Sequence, residues 1–446
     1  MRTGPARGLW CALVLSTLAG CAEGVDEPLQ FFLGDGAVGD GSVGDGSVGD
    51  DDDAGGVAQG GDGGLGFLAD GAVDMGGDPA GDRTAEGAVV SAGFYHSCSA
   101  QPDGRAHCWG YQLFGRVGDG TSDTRHAPVP VLNLTDVLQV SNHGYDDLAV
   151  SCAATSSGKV WCWGYGAAGR LGNGASTATN RTPVEVSGLS DAVQVAVGGG
   201  HSCALRSGGS VVCWGTGALG RLGNGSTSNS DVPVDVMNLS DAVQVSAGDS
   251  HACAVRATGE VVCWGYRLNG RLGDGGATAG NEQTPVTVSG IDDAVQVSSG
   301  FAHTCAVRSS GAIACWGDRG YGRLGDGGGT AGNEASPVVV AGISDAAQVS
   351  AGYHHTCAVR ATGDVLCWGD RGHGRLGDGG GVAGNEETPV PLTGLSDVVQ
   401  VSAGYWTTCA GTGSGAVHCW GYNVFGMLGD DSTTQRVSPV AAVGLP

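Results

Sequence analysis

One tripeptide recurs seven times along this chain, about fifty residues apart, and leaves few folds open to it. Cys-Trp-Gly stands at Cys108-Trp109-Gly110, Cys162-Trp163-Gly164, Cys213-Trp214-Gly215, Cys263-Trp264-Gly265, Cys315-Trp316-Gly317, Cys367-Trp368-Gly369 and Cys419-Trp420-Gly421. Each copy runs on into a glycine turn such as Gly169-Arg170-Leu171-Gly172-Asn173-Gly174, then into a Pro-Val strand such as Pro183-Val184-Glu185-Val186. A short alternating stretch, as in Ala242-Val243-Gln244-Val245, precedes each. The unit therefore reads as four short strands. One such unit cannot bury its own apolar faces, whereas units packed radially bury them between neighbours. The expected fold is all-β, a seven-bladed β-propeller of four-stranded blades over residues 87–446, with blades starting near 88, 137, 192, 242, 294, 346 and 398. A helical alternative fails on composition, because 86 of the 446 residues are Gly and each costs roughly 1 kcal/mol in a helix. The repeats open with an inner-type strand, Ala88-Val89-Val90-Ser91, and close with an outer-type one, Pro439-Val440-Ala441-Ala442. Each blade can thus be built from contiguous chain, and only Leu29-Gln30-Phe31-Phe32-Leu33 could supply an exchanged strand.

Fourteen cysteines fall two to a blade with nine residues between them: Cys98 and Cys108, Cys152 and Cys162, Cys203 and Cys213, Cys253 and Cys263, Cys305 and Cys315, Cys357 and Cys367, Cys409 and Cys419. Between them lies a turn with a Gly, such as Thr258-Gly259, suited to a three-residue hairpin loop with Gly in the left-handed position. Folding the hairpin there sets Cys253 opposite Cys263. Facing Cβ atoms lie about 4.5–5.5 Å apart, so the closer, non-hydrogen-bonded register suits a disulfide best. Seven intrablade disulfides are expected, which requires an oxidising compartment. Zinc is the competing use, since His201 and Cys203, or His355 and Cys357, share a strand face. Against it, zinc sites favour close Cys pairs, and blades two and seven carry Val150 and Thr407 in place of the His. No metal and no cofactor is expected.

The remaining cysteines, Cys11 and Cys21, belong to the N-terminus. Arg2 and Arg7 precede an apolar run from Leu9 to Leu18, long enough for a signal-peptide core and too short to span a bilayer. It ends Leu18-Ala19-Gly20-Cys21, which resembles a bacterial lipobox. That resemblance implies a signal peptide over 1–20, a lipid-modified Cys21, attachment to the membrane through that lipid, and residence in the cell envelope of a bacterium. Residues 21–86 then read as an acidic Gly/Asp-rich disordered tether; Ala22 to Glu86 holds sixteen acids and one base, −15 of the net charge of −24. Like-charge repulsion and missing core residues keep such a segment extended. Its carboxylates match no calcium-loop spacing. The acidic balance, with Lys159 as the single lysine, argues against nucleic acid as a ligand, because phosphate contacts need clustered Lys and Arg.

The succession Trp-Gly, Gly-x-Leu-Gly-x-Gly, Pro-Val and Val-x-x-Gly-x-x-His-Thr/Ser resembles the repeat of the regulator of chromosome condensation family. The resemblance spans roughly residues 87–446 and implies the same propeller. It also implies that His96, His201, His251, His303 and His355 tie blade to blade by hydrogen bonds. Where that family usually has Gln, this chain has Arg116, Arg170, Arg221, Arg271, Arg323 and Arg375, with Met427 in the last repeat; we read the position as an interblade hydrogen-bonding one. The family implies guanine nucleotide exchange as one alternative activity, and a secreted hydrolase or inhibitor working through the propeller face is another.

Function is expected on one face. Hairpin turns such as Pro102-Asp103-Gly104 and Ala361-Thr362-Gly363 offer little to grip, while the opposite face carries Phe94, Tyr95, Tyr145, Phe301, Tyr353, His354, Tyr405 and Trp406 in its first loops. Blades three and four place Gly199-Gly200 and Asp249-Ser250 there instead. Aromatic loops on a rigid ring are how a scaffold presents a protein-binding hot spot. No Ser-His-Asp motif, phosphate-cradling Gly loop after a strand, or His-Glu-x-x-His occurs. The chain is expected to be a monomeric, non-enzymatic scaffold for an unknown protein partner.

Overall fold

A computed structural model describes residues 87–144, 148–176, 179–276 and 279–445, and the paired backbone of Phe67–Leu68 and Ala72–Val73. The expected signal peptide, Cys21, residues 29–33 and the rest of the expected tether lie outside the described residues. From Val89 onward the chain forms seven four-stranded antiparallel sheets, each in plain chain order. Blade four is representative: Ala242–Ala247, His251–Arg256, Val261–Tyr266 and Asn281–Thr287. First strands begin at Val89, Val137, Ala192, Ala242, Ala294, Ala346 and Val398, so the expected blade boundaries hold to within one residue. Each blade comes from contiguous chain, as expected.

The core lies between blades rather than within them. Leu205 and Val211 of blade three, for instance, pack with Val245, Ala254, Val262 and Trp264 of blade four. The repeated tripeptide is explained at this seam. Every Cys-Trp-Gly indole is fully buried and lies over a glycine of the preceding blade's Gly-x-Leu-Gly turn: a Cβ on Gly273 would meet the Trp316 ring at 2.6 Å. Gly273 also sits at φ +69°, in the left-handed region that glycine enters without steric cost. The same indole N–H donates to a backbone carbonyl of that turn, from Trp316 Nε1 to Arg271 O at 2.9 Å and from Trp109 Nε1 to Met427 O at 2.7 Å. Because the acceptor is main chain, Met427 serves this indole bond at the ring's seam as well as an arginine does.

Inner strands are joined by side chains. Gln244 Nε2 donates to Val297 O, and Val297 N donates to Gln244 Oε1, at 3.0 and 2.9 Å. Gln400 closes the ring in the same way on Val90, at 2.9 and 2.6 Å. A side-chain clasp thus does at the seam what an exchanged strand would otherwise do.

All seven disulfides span a blade's two middle strands, from Cys98–Cys108 to Cys409–Cys419, with Cα–Cα distances of 4.0 to 4.1 Å. Arg256 N donates to Glu260 O and Cys253 faces Cys263. Counting from that hydrogen-bonded pair, the alternation of an antiparallel ladder puts the cysteines in the close, non-hydrogen-bonded register. The loop between holds three residues with Gly259 at φ +86°, as its sequence predicts. On this hairpin face, Arg206–Asp191, Arg256–Asp241, Arg308–Asp293 and Arg360–Asp345 form a repeated ion pair at 2.7 to 3.0 Å. The side chains are about a third exposed, so each pair adds little stability.

The histidine tie is present in four of the five expected places. His96 Nε2 meets Ser151 Oγ, and His251, His303 and His355 meet Thr304, Thr356 and Thr408, each at 2.8 Å across a blade seam. Thr304 Oγ1 spends its one proton on Arg271 O at 3.0 Å, so His251 must donate from Nε2, which defines its tautomer. His201 is the exception and corrects the expectation. Its counterpart in blade four is Ala252, which has no hydroxyl, and both His201 ring nitrogens are buried without a hydrogen-bond partner. Ala252→Thr is expected to stabilise the protein by about 1–2 kcal/mol by partnering a buried polar group. Denaturant unfolding of A252T against the isosteric A252V checks this; equal midpoints would show that His201 gains nothing from the hydroxyl.

Candidate functional site

The innermost strand of each blade ends in a loop at the mouth of the ring's central channel, and these loops carry the predicted aromatic residues. They form a stacked arc. Phe301 of blade five lies 3.8 Å, centroid to centroid, from Tyr353 of blade six, which lies 3.8 Å from Tyr405 of blade seven, which lies 4.1 Å from Phe94 of blade one. In blades one, six and seven the next residue of the loop meets rings of the third-to-fourth-strand loops, whereas in blade five it is the buried Ala302. Tyr95 meets Phe425 at 5.2 Å, and Phe425 stacks on Tyr111 at 4.5 Å. His354 meets Tyr321 at 4.3 Å, and Trp406 meets His373 at 5.0 Å. Two concentric arcs of rings therefore rim one side of the mouth, in contacts worth about 0.5–1.5 kcal/mol per pair beyond the area they bury.

The expectation for individual residues needs one correction. Phe94 is only 6% exposed; wedged between Tyr95 and Tyr405, it supports the surface and does not form it. Tyr95, Phe301, Tyr353, His354, Tyr405 and Trp406 are half-buried, each presenting part of its ring. Tyr145 lies outside the described residues. Tyr321 is 42% exposed and stands at φ +65°, a left-handed conformation that disfavours any residue with a Cβ; His373 stands at φ +59° at the matching place in blade six.

What holds the arc was only partly legible beforehand. Arg271 Nη1 donates to Phe301 O at 3.0 Å, Arg323 Nη1 to Tyr353 O at 2.9 Å, and Arg375 Nη1 to Tyr405 O at 3.2 Å. The arginine of one blade thus grips the aromatic loop of the next, which is the interblade role expected for that position. Arg170 departs from it, reaching Leu148 O within its own blade at 3.4 Å. Arg323 Nη2 also meets His354 Nδ1 at 2.9 Å. Burial first, then Arg323 and Arg375, push the His354 imidazole down to about 2, so it is a neutral acceptor there. Arg375 lies 4.8 Å from the Trp406 ring centre, a favourable cation–ring distance.

The pairing of a second set of arginines went unread in the sequence. Arg267 pairs with Asp274 at 2.6 Å and with Glu282 at 2.5 Å. Arg319 bridges Asp326 at 2.9 Å and Glu334, and Arg371 bridges Asp378 at 2.8 Å and Glu386. These triads brace the longer outer loops of blades four to six. Their signal was present in the Gly280-Asn281-Glu282, Gly332-Asn333-Glu334 and Gly384-Asn385-Glu386 repeats, but the partner arginine lies fifteen residues back. Among the described residues no group of three His, Cys, Asp or Glu side chains is gathered to hold a metal, and the cysteines that made zinc conceivable are held in disulfides.

Five stretches, 157–205, 208–255, 258–307, 310–359 and 362–410, match the Regulator of chromosome condensation (RCC1) repeat, more than half of the chain. The chain belongs to the regulator of chromosome condensation repeat family. Among relatives in this family, the ultraviolet-B receptor UVR8 of Arabidopsis thaliana is 30% identical over 364 residues, covering 79% of this chain and 80% of the relative. The human E3 ubiquitin-protein ligase HERC2 is 33% identical over 360 residues, but the match spans 78% of this chain and only 6% of that protein. Human WBSCR16 has the same fold with a TM-score of 0.67 at 20% identity, covering 76% of this chain and 95% of that one. Yeast RCC1 (Prp20), solved bound to Kap60, has a TM-score of 0.65 at 21% identity, covering 76% and 83%.

Proposed function

We propose that this chain is an exported, lipid-anchored propeller that serves as a non-enzymatic scaffold and binds a protein partner through the aromatic side of its loop face. One observation carries the reading: half-buried rings from consecutive blades form a continuous surface on one arc of the mouth, braced from below by arginines. Aromatic anchors held rigid in this way cost little entropy to engage, which is what interface hot spots require. The solved pairing of yeast RCC1 with Kap60 supports protein binding as a use of this fold. Seven fully buried disulfides support an oxidising compartment, hence export through the signal peptide and anchoring in the cell envelope through Cys21. Two measurements test the two halves. Intact-mass and peptide mapping of membrane-purified protein is expected to find a lipid on Cys21 and no residues before it; an uncleaved N-terminus would refute the anchor. For binding, Tyr405→Ala with Trp406→Ala is expected to weaken the partner by at least about 2 kcal/mol, roughly thirtyfold, while Thr258→Ala on the hairpin face leaves it unchanged. Unaltered affinity in the aromatic double variant would overturn the assignment of the face.

A further inference from the structure

The mouth has a gap in its aromatic rim at blade three, where Gly199 and Gly200 stand in place of rings. Thr216 there occupies the position held by Tyr165 in blade two and Tyr266 in blade four. Two guanidiniums fill in behind it. A methyl group placed on Gly200 would lie 3.3 Å from Thr216 Oγ1, 3.4 Å from Arg221 Nη1 and 3.5 Å from Arg170 Nη2, so three polar groups converge on one point beside a residue with no side chain. These two arginines differ from those of the other blades. In blades one, four, five and six the arginine Nε donates to the carbonyl three residues back, at 2.8 to 3.0 Å. Arg170 Nε and Arg221 Nε make no such bond; both are buried without a partner, and so is Thr216 Oγ1. Buried donors left unpaired in this way are rare and costly.

The charge is also unbalanced. Arg323 and Arg375 have Asp318 and Asp370 beside them, at 4.0 and 3.2 Å. Arg221 reaches the nearby Asp249 only through Ser250: Asp249 Oδ2 accepts from Ser250 Oγ at 2.6 Å, and Arg221 Nη2 donates to that Oγ at 2.8 Å; the charged neighbour of Arg170 among the described residues is Arg221 itself. His143, also close to Asp249, is held neutral by burial. Among the described residues neither Arg170 nor Arg221 forms a direct ion pair, in a chain that is otherwise strongly acidic.

We infer that the notch at Gly200 is a binding site for a single oxyanion, a carboxylate, phosphate or sulfate group, held by Arg170, Arg221 and Thr216. Three polar groups within 3.5 Å of one point suit such a group, since a guanidinium pair recognises its oxygens by charge-assisted hydrogen bonds. The inference is independent of the aromatic face and stands or falls without it.

The test is NMR of the arginine Nε–H groups in the full chain, titrated separately with inorganic phosphate, sulfate and acetate. Arg170 and Arg221 signals are expected to shift saturably with a Kd of about 1 mM, while Arg271 and Arg323 stay in place. Gly200→Ala, which plugs the notch, and Thr216→Val, which removes the hydroxyl at constant shape, are each expected to weaken binding at least about tenfold. Gly200 is not in the left-handed region, and Thr216→Val keeps the volume, so the two variants together guard against a folding defect. Saturation by acetate identifies a carboxylate ligand, and saturation by phosphate or sulfate alone identifies a tetrahedral one; either supports the site. No saturable shift with any of the three, or unchanged binding in both variants, would overturn it.

Discussion

Denatured and reduced protein, returned to native buffer with its thiols free, is expected not to regain a cooperative fold, whereas oxidised protein refolds. Each bridge joins cysteines ten residues apart, and closing a loop that short contributes about 2–3 kcal/mol through the unfolded chain's lost entropy. Seven independent bridges contribute roughly 15–20 kcal/mol on that account, more than the usual net stability of roughly 5–15 kcal/mol for a folded domain. The same bridges should be inert in the native state, because all fourteen cysteines are fully buried and a reductant reaches them only through opening. Thiol labelling followed by mass measurement checks both halves: no label on native protein in reductant, and full labelling once denaturant is added. A single pair changed to alanine, Cys253→Ala with Cys263→Ala, should cost about 2–3 kcal/mol plus the packing of the lost sulfurs. Reduced protein that unfolds within about 2 kcal/mol of the oxidised form would show that the interblade packing suffices alone.

Acid should destabilise the ring well above the range in which carboxylates titrate. Burial, reinforced by neighbouring arginines, holds the imidazoles of His96, His201, His251, His303 and His355 well below their ordinary range. In the unfolded chain each titrates near 6.5. Below that value the unfolded state binds protons that the folded state refuses, so stability is complete above about pH 6.5 and falls as the pH drops. Each histidine that stays neutral in the fold costs on the order of 1 kcal/mol between pH 7 and pH 5.5, and His143 and His354, which burial also pushes down, add to the loss from these five. Denaturation midpoints measured across this interval check the slope, and His251→Gln should make it shallower by one histidine's share. A flat profile would mean that these histidines accept protons in place.

The disulfide pattern was legible because a nine-residue gap around a Gly turn has one hairpin solution, and strand alternation then places both cysteines on one face. Blade boundaries were legible for the same reason: the Cys-Trp-Gly and Gly-x-Leu-Gly signals recur in phase. The aromatic face could be named from loop position, but the burial of Phe94 could not, because it depends on Tyr405 reaching across from a blade that lies 311 residues later in the chain. The failed His201 tie was written in the sequence as Ala252, yet it becomes visible only when blade three is set against blade four.

Local pattern by itself therefore determined the number of blades, the four strands in each, the sulfur pairing and which loops share a face, since all of these follow from periodicity within about fifty residues. Tertiary structure alone decided which rings stack into the arc, which arginine grips which carbonyl, and which donors at Gly200 are left without a partner. Those outcomes depend on side chains from different blades meeting at closed seams, and a contact between blades is set by how the ring packs and not by spacing along the chain.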